Sequence, residues 1–151
     1  MPGYRTHLIA GTLVFAGCAS LAAPFMHPED KTICVWALFL GSTLLGALFP
    51  DIDVPSKMQR FFYIMVIGVL AIALVVKNYT LFMGTGAGAI AVAFLRHRTI
   101  THRVWFMTLL ACVLMGAGIF FFPSSERWCL LAGLFFVVGA WSHLLLDRFV
   151  H

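Results

Sequence analysis

His7, the stretch Pro50-Asp51-Ile52-Asp53, the stretch His97-Arg98-Thr99-Ile100-Thr101-His102, and the pair His143 and Asp147 are polar islands in a chain that is otherwise almost continuously apolar. They hold four of the six histidines and three of the six acidic residues, so the groups able to bind a cation are concentrated rather than scattered. Ionisable side chains beside or within hydrocarbon are costly, and their gathering at a few points calls for something that binds there. Imidazole and carboxylate together call for a metal ion.

The spacings support that chemistry. His143 and Asp147 are four residues apart, which stacks them on one face of a helix where a single ion could bridge both. Asp51 and Asp53 are flanked by Pro50 and Pro55, which hold the segment extended and let both carboxylates turn toward one point. His97 and His102 lie across a loop-to-helix junction and need not share a face, so one of them could orient a ligand or serve another ion. With His7 the candidate ligands number seven, more than the three or four of a single zinc site. The surplus means either two or more ions, or one ion whose histidines and carboxylates are held by further partners. A mixed imidazole and carboxylate set fits zinc first, with manganese or iron(II) as alternatives, and the lack of cysteine in the clusters argues against a closed structural zinc site. Structural salt bridges with nearby arginines are the competing account of Asp51, Asp53 and Asp147.

Arg96, Arg98 and Arg103 surround the paired histidines. A guanidinium fork matches phosphate bidentately, which makes Arg98 and Arg103 candidate substrate-binding residues. Topology and headgroup contact explain the same arginines equally well. Asp53, if it is not a ligand, is a candidate general base. Thr101 is either a hydrogen-bond donor to a ligand or a cap for the following helix.

The elements that position these groups follow from composition. With 62% hydrophobic and 11% charged residues in 151, the chain could not hide its apolar side chains in a water-soluble core, which at this size buries only about 70% of the unfolded surface. It reads as one membrane-embedded, all-α domain spanning residues 1–151. Runs long enough to cross a bilayer as helices are Leu8 to Met26, Thr32 to Phe49, Phe61 to Val76, Tyr79 to Leu95, Val104 to Phe122 and Trp128 to Leu146, giving a polytopic bundle of about six transmembrane helices. The third and fourth are short, share only the Lys77-Asn78 turn, and could instead form a re-entrant pair.

Loop charges orient the bundle. Arg5, Lys57, Arg60, Arg96, Arg98, Arg103 and Arg148 lie at one set of ends and only Lys31, Lys77 and Arg127 at the other, which predicts both termini in the cytoplasm. The same parity puts every polar cluster on that face, although the spans were drawn from hydrophobicity alone. His27 falls on the opposite face and His151 is the terminal residue, so neither is a candidate ligand.

Other classes are disfavoured. The net charge of +4 is dispersed between apolar runs and leaves no domain to bind nucleic acid. Cys18, Cys34, Cys112 and Cys129 sit singly in apolar runs with no C-x-x-C pair and read as buried small hydrophobes. The first span, with Arg5 before it and Ala16-Gly17-Cys18 within it, has a faint look of a cleaved signal, but cleavage would remove His7, and the segment is taken as a retained helix. Gly84-Thr85-Gly86-Ala87-Gly88 contains a G-x-x-x-G and reads as helix packing, since it lacks the Lys-Ser/Thr pair of a phosphate loop.

His7, Pro50-Asp51-Ile52-Asp53-Val54-Pro55 with Ser56, His97-Arg98-x-x-Thr101-His102 and Ser142-His143-x-x-x-Asp147 resemble, in that order, the YdjM-like family of bacterial inner-membrane proteins, predicted metal-dependent hydrolases. The resemblance covers most of the chain, and P-D-x-D and H-R-x-x-T-H are its most distinctive elements. It implies a multi-pass protein of the bacterial inner membrane and, through a distant similarity to zinc-dependent phospholipase C and P1-type nucleases, phosphoester hydrolysis. Arg103 stands where the family commonly has Ser, a departure that bears on the substrate more than on the metal.

The expectation is therefore a membrane-embedded, metal-dependent hydrolase cleaving a lipid or lipid-linked phosphoester at the cytoplasmic face. Metal or proton translocation is the alternative, and it predicts polar residues through the whole bilayer thickness, whereas most spans offer only Thr, Ser and Gly at mid-depth. A scaffold in which a metal ties helix ends together is a third.

Overall fold

Each long apolar run forms a helix with an identifiable start or stop. In the computed structural model, which describes residues 3–27, 31–53, 57–94 and 102–149, these are α1 (Tyr4–Ala22), α2 (Ile33–Leu48), α3 (Lys57–Val75), α4 (Tyr79–Phe94), α5 (Val104–Phe121) and α6 (Glu126–Phe149). Only the backbone is described for 52–53, 57–58 and 91–94. No strand occurs among the described residues. Thr32 caps α2 by accepting from the Val35 amide, and Asn78 caps α4 by accepting from the Leu81 amide at 3.0 Å. Short 3-10 turns extend α1 and α2 and precede α6; Pro24 and Pro123 lie in the first and last of these.

The α3–α4 connection is the tightest. The Asn78 amide reaches back to the Ala73 carbonyl and the Lys77 amide to the Leu74 carbonyl, with Lys77 at φ 53, the pattern of a Schellman stop. A lysine in the left-handed region costs about 1–2 kcal/mol more than a right-handed residue. The two recovered carbonyls offset it. The predicted Lys77-Asn78 turn is thus confirmed as the link between two packed helices.

Four helical segments, Tyr4–Phe25, Ile33–Asp51, Val104–Phe121 and Pro123–Phe149, are long and apolar enough to cross a membrane. The six predicted runs are all helical, but α3 is a shorter apolar helix and six crossings are not established. Helix ends also differ from the predicted spans: α1 begins before His7, and α6 runs past Leu146 to carry Asp147. Hydropathy marks the part of a helix matched to hydrocarbon, and polar residues on an inward face continue the helix beyond it.

The chain divides into two compact units, residues 51–101 and the remainder. The first pairs α3 with α4. In the second, α2 and α6 form the most extensive contact, with α1 packed on both and α5 on α6. A third of the apolar window of α2 and of α6 is buried, against 6% for α1 and 11% for α5, so the central pair organises the unit. It does so through glycine: a Cβ built on Gly46 would run into the Phe136 carbonyl, and one built on Gly139 into the Thr43 carbonyl. Only residues without a side chain allow backbones this close. By contrast Gly84, Gly86 and Gly88, the predicted packing motif, meet nothing within 4 Å among the described residues.

Where the unit buries apolar side chains, Phe39 and Phe135 stack with centroids 4.7 Å apart, and Met26, Phe15, Trp36, Trp128 and Leu131 pack around them. Outward faces are apolar too, with Ile9, Leu13, Leu109, Val113, Phe120 and Leu145 exposed. The cysteines belong partly to that surface. Cys34 and Cys112 are exposed and Cys18 and Cys129 half-buried, so the expectation of four buried residues is corrected. An outward position on an apolar helix suits a small apolar side chain as well as a core does.

Candidate metal centre

Four helices of one unit bring their ends together here. His7 lies in the second turn of α1, His102 directly precedes the Arg103 that begins α5, and His143 and Asp147 are one turn apart near the end of α6. Alternating helix direction puts two beginnings and two endings on the same side. The predicted gathering of polar clusters is therefore found for these four residues.

The geometry centres on one carboxylate. His143 Nε2 lies 3.3 Å and His102 Nε2 3.4 Å from Asp147 Oδ2, and His7 Nε2 lies 3.5 Å from Asp147 Oδ1. His7 and His143 are fully enclosed, whereas His102 and Asp147 retain 17% and 13% of their side-chain exposure, leaving one open side. The His143 Nδ1–H donates to the Ala47 carbonyl at 2.7 Å. That bond fixes the tautomer and aims the Nε2 lone pair at Asp147. A lone pair and a carboxylate oxygen facing each other repel unless something positive stands between them.

Two candidates could fill that role, a proton or a metal ion. Ligands at about 2.0–2.1 Å around one tetrahedral ion stand about 3.3–3.4 Å apart. Separations of 3.3 and 3.4 Å suit neighbouring ligands of such an ion, and one ligand atom from each of His102, His143 and Asp147 falls within 4.8 Å of the others. The donor set thus fits a divalent ion. Three histidines around one carboxylate are also more than a buried ion pair needs.

The remaining predicted residues divide by location. Asp51 is half-buried in the 3-10 turn Phe49–Asp53 that extends α2, and for Asp53 in the same turn the side chain is not described. His97, Arg98 and Thr101 lie outside the described residues. Arg103 is exposed and takes the N-cap position of α5 without a side-chain cap, and Arg5 and Arg148 are exposed neighbours of His7 and Asp147. His27, excluded as a ligand, is exposed beyond the far end of α1.

The model of the family described as YdjM inner membrane protein matches residues 1–151. The chain belongs to that family. Membership supports the membrane assignment made from the four apolar helices, and this YdjM-family chain carries a His/Asp group that could hold a metal ion. No curated protein and no solved structure matches it. Sequence reasoning missed the Ala47 carbonyl, because a backbone acceptor has no residue signature. The signal that could have found it is the small-residue pair Gly46-Ala47 on α2 opposite Gly139-Ala140 on α6, which permits the approach that brings His143 to that carbonyl.

Proposed function

We propose that the chain is a multi-pass hydrolase of the bacterial inner membrane that uses a divalent ion, zinc first, to cleave a lipid or lipid-linked phosphoester at the cytoplasmic face. The observation that supports this reading is the Nε2 of His143, turned by the Ala47 carbonyl toward Asp147 at a ligand-to-ligand distance, with His102 completing the set. His102, His143 and Asp147 would hold the ion. Asp51, four residues beyond Ala47 along the chain, is assigned as a further ligand, with His97 in reserve. The ion when bound supplies Lewis acidity and activates water at neutral pH.

The chain's own residues do the rest. Arg103 and Arg98 hold the phosphate, and the exposed Arg5 and Arg148 keep the same rim attractive to anionic headgroups. Asp53 takes the proton from the attacking water as phosphorus gains that oxygen, the phosphorus–oxygen bond to the leaving group breaks, and the proton passes to the departing oxygen, which leaves as the alcohol. The partial exposure of His102 and Asp147 leaves a side for a headgroup to approach without its chains leaving the bilayer. Cytoplasmic orientation follows from the arginines, which cluster at the ends that carry the site.

Translocation receives less support. Thr12, Ser20, Thr43, Thr108 and Ser142 each donate their hydroxyl to a carbonyl of their own helix. Hydroxyls satisfied this way form no relay. Beyond Thr43 the described interior is Phe39, Phe135 and Met26.

The deciding experiment purifies the protein, measures its metal content and follows phosphoester cleavage of a defined phospholipid before and after chelation. Bound metal, with activity lost on chelation and restored by zinc, is the expected result. Metal-free protein of undiminished activity would overturn the proposal.

A further inference from the structure

His7 differs from the other two histidines in ways that remove it from their ion. Its ring lies flat against that of His143, with centroids 3.8 Å apart and planes within 17°. Imidazole lone pairs lie in the ring plane, so rings stacked in nearly parallel planes do not aim them at a common point. His102, whose ring meets His143 at 70°, carries no such restriction.

His7 also addresses the other oxygen of the carboxylate. Its Nε2 faces Asp147 Oδ1, while His102 and His143 face Oδ2. Its Nδ1 is buried and has no hydrogen-bond partner among the described residues. A neutral imidazole places its single hydrogen where an acceptor waits, which here is Nε2. A leucine or phenylalanine would fill this enclosed position without stranding a nitrogen, so the ring's worth lies in what Nε2 does.

We infer that His7 is a positioning residue: in the metal-bound protein its Nε2–H, 3.5 Å from Asp147 Oδ1 here, donates to that oxygen and turns Oδ2 toward the ion bound by His102 and His143. The inference rests on the metal reading proposed above and deepens it, since it gives His7, a candidate ligand by sequence, a different role. Ligand carboxylates are commonly fixed by such a hydrogen bond, and its loss costs about 10–100-fold in metal affinity without removing a ligand.

The test substitutes cobalt(II) for the native metal in the detergent-solubilised full chain and reads stoichiometry, affinity and the visible ligand-field spectrum. His7→Ala is expected to bind the same number of ions with the wild-type band positions and an affinity lower by about 10–100-fold. His7→Gln, whose amide can still donate, should recover most of that loss, which a purely space-filling role would not predict. His102→Ala, which deletes a ligand, should shift the bands. Failure of wild-type protein to bind cobalt would defeat the metal reading and this inference together. Wild-type binding with a shifted spectrum or lower stoichiometry in both His7 variants would defeat the inference alone and make His7 a ligand.

Discussion

At one end of the unit built from α1, α2, α5 and α6, Phe39 and Phe135 stack within a shell of Phe15, Met26, Trp36 and Trp128; at the other, three imidazoles surround the carboxylate of Asp147. α1, α2 and α6 supply residues to both. The aromatic end is held by shape and contact area, and many apolar substitutes of similar volume would serve there. The polar end depends on direction, since each nitrogen must point at one oxygen. Between them lies the glycine crossing of α2 and α6, which sets the distance and register of both. The tolerant end and the exacting end are thus coupled through backbone, and four substitutions probe that coupling.

Asp147→Asn should have the largest effect. It keeps the side chain's shape and removes the charge that all three histidines face. Metal content measured after purification should fall to background, while the aromatic end and the helical circular dichroism are unchanged. Retained metal would mean that the carboxylate is only a structural partner of the histidines.

Gly139→Ala comes next because it reaches both ends. Its new methyl group meets the Thr43 carbonyl, part of the α2 backbone that cannot yield as a flexible side chain would. Overpacking of this kind typically costs about 1–3 kcal/mol. Separating α2 from α6 also stretches the bond from His143 Nδ1–H to the Ala47 carbonyl. Thermal stability and metal affinity should therefore fall together, the affinity by about tenfold or more. Loss of stability with unchanged affinity would uncouple the two ends.

Phe39→Ala should act at one end alone. The side chain is fully buried, so its removal leaves a cavity. The cost should lie below the about 3–5 kcal/mol of such a change in a water-soluble core, because a bundle in lipid lacks the water-driven part of that energy. A denaturation assay in detergent should show the loss with metal affinity within about twofold of wild type.

Helix existence was largely legible in the sequence, since runs of apolar residues between Pro, Gly and polar breaks leave few other structures. The side of the bundle carrying the site was legible too, because counting spans needs only parity, and His7, His102, His143 and Asp147 do meet. Their separate roles were not. Whether His7 and His143 stack or converge depends on rotamers and on the rotation of α1 against α6, and neither leaves a trace in spacing. The glycines were misplaced for a related reason: Gly84, Gly86 and Gly88 form a motif along α4, whereas Gly46 and Gly139 act singly on different helices and become a pair only when α2 meets α6. The reach of α3 and α4 was not legible in the same way, because helices of 19 and 16 residues extend about 28 and 24 Å against about 30 Å of hydrocarbon.

The smallest effect is expected from Gly86→Ala, and its smallness is informative. An alanine there meets nothing within 4 Å among the described residues, so no backbone is pushed. Within a helix the same change restricts the unfolded chain and favours the folded one, by at most about 1 kcal/mol. Thermal stability should be unchanged or slightly raised, with metal affinity equal to wild type, in a chain where the chemically identical Gly139→Ala lowers both. If Gly86→Ala were as damaging as Gly139→Ala, the glycine run of α4 would be a packing surface after all. The α2–α6 crossing would then lose its standing as the contact that aligns the aromatic end with the His/Asp cluster.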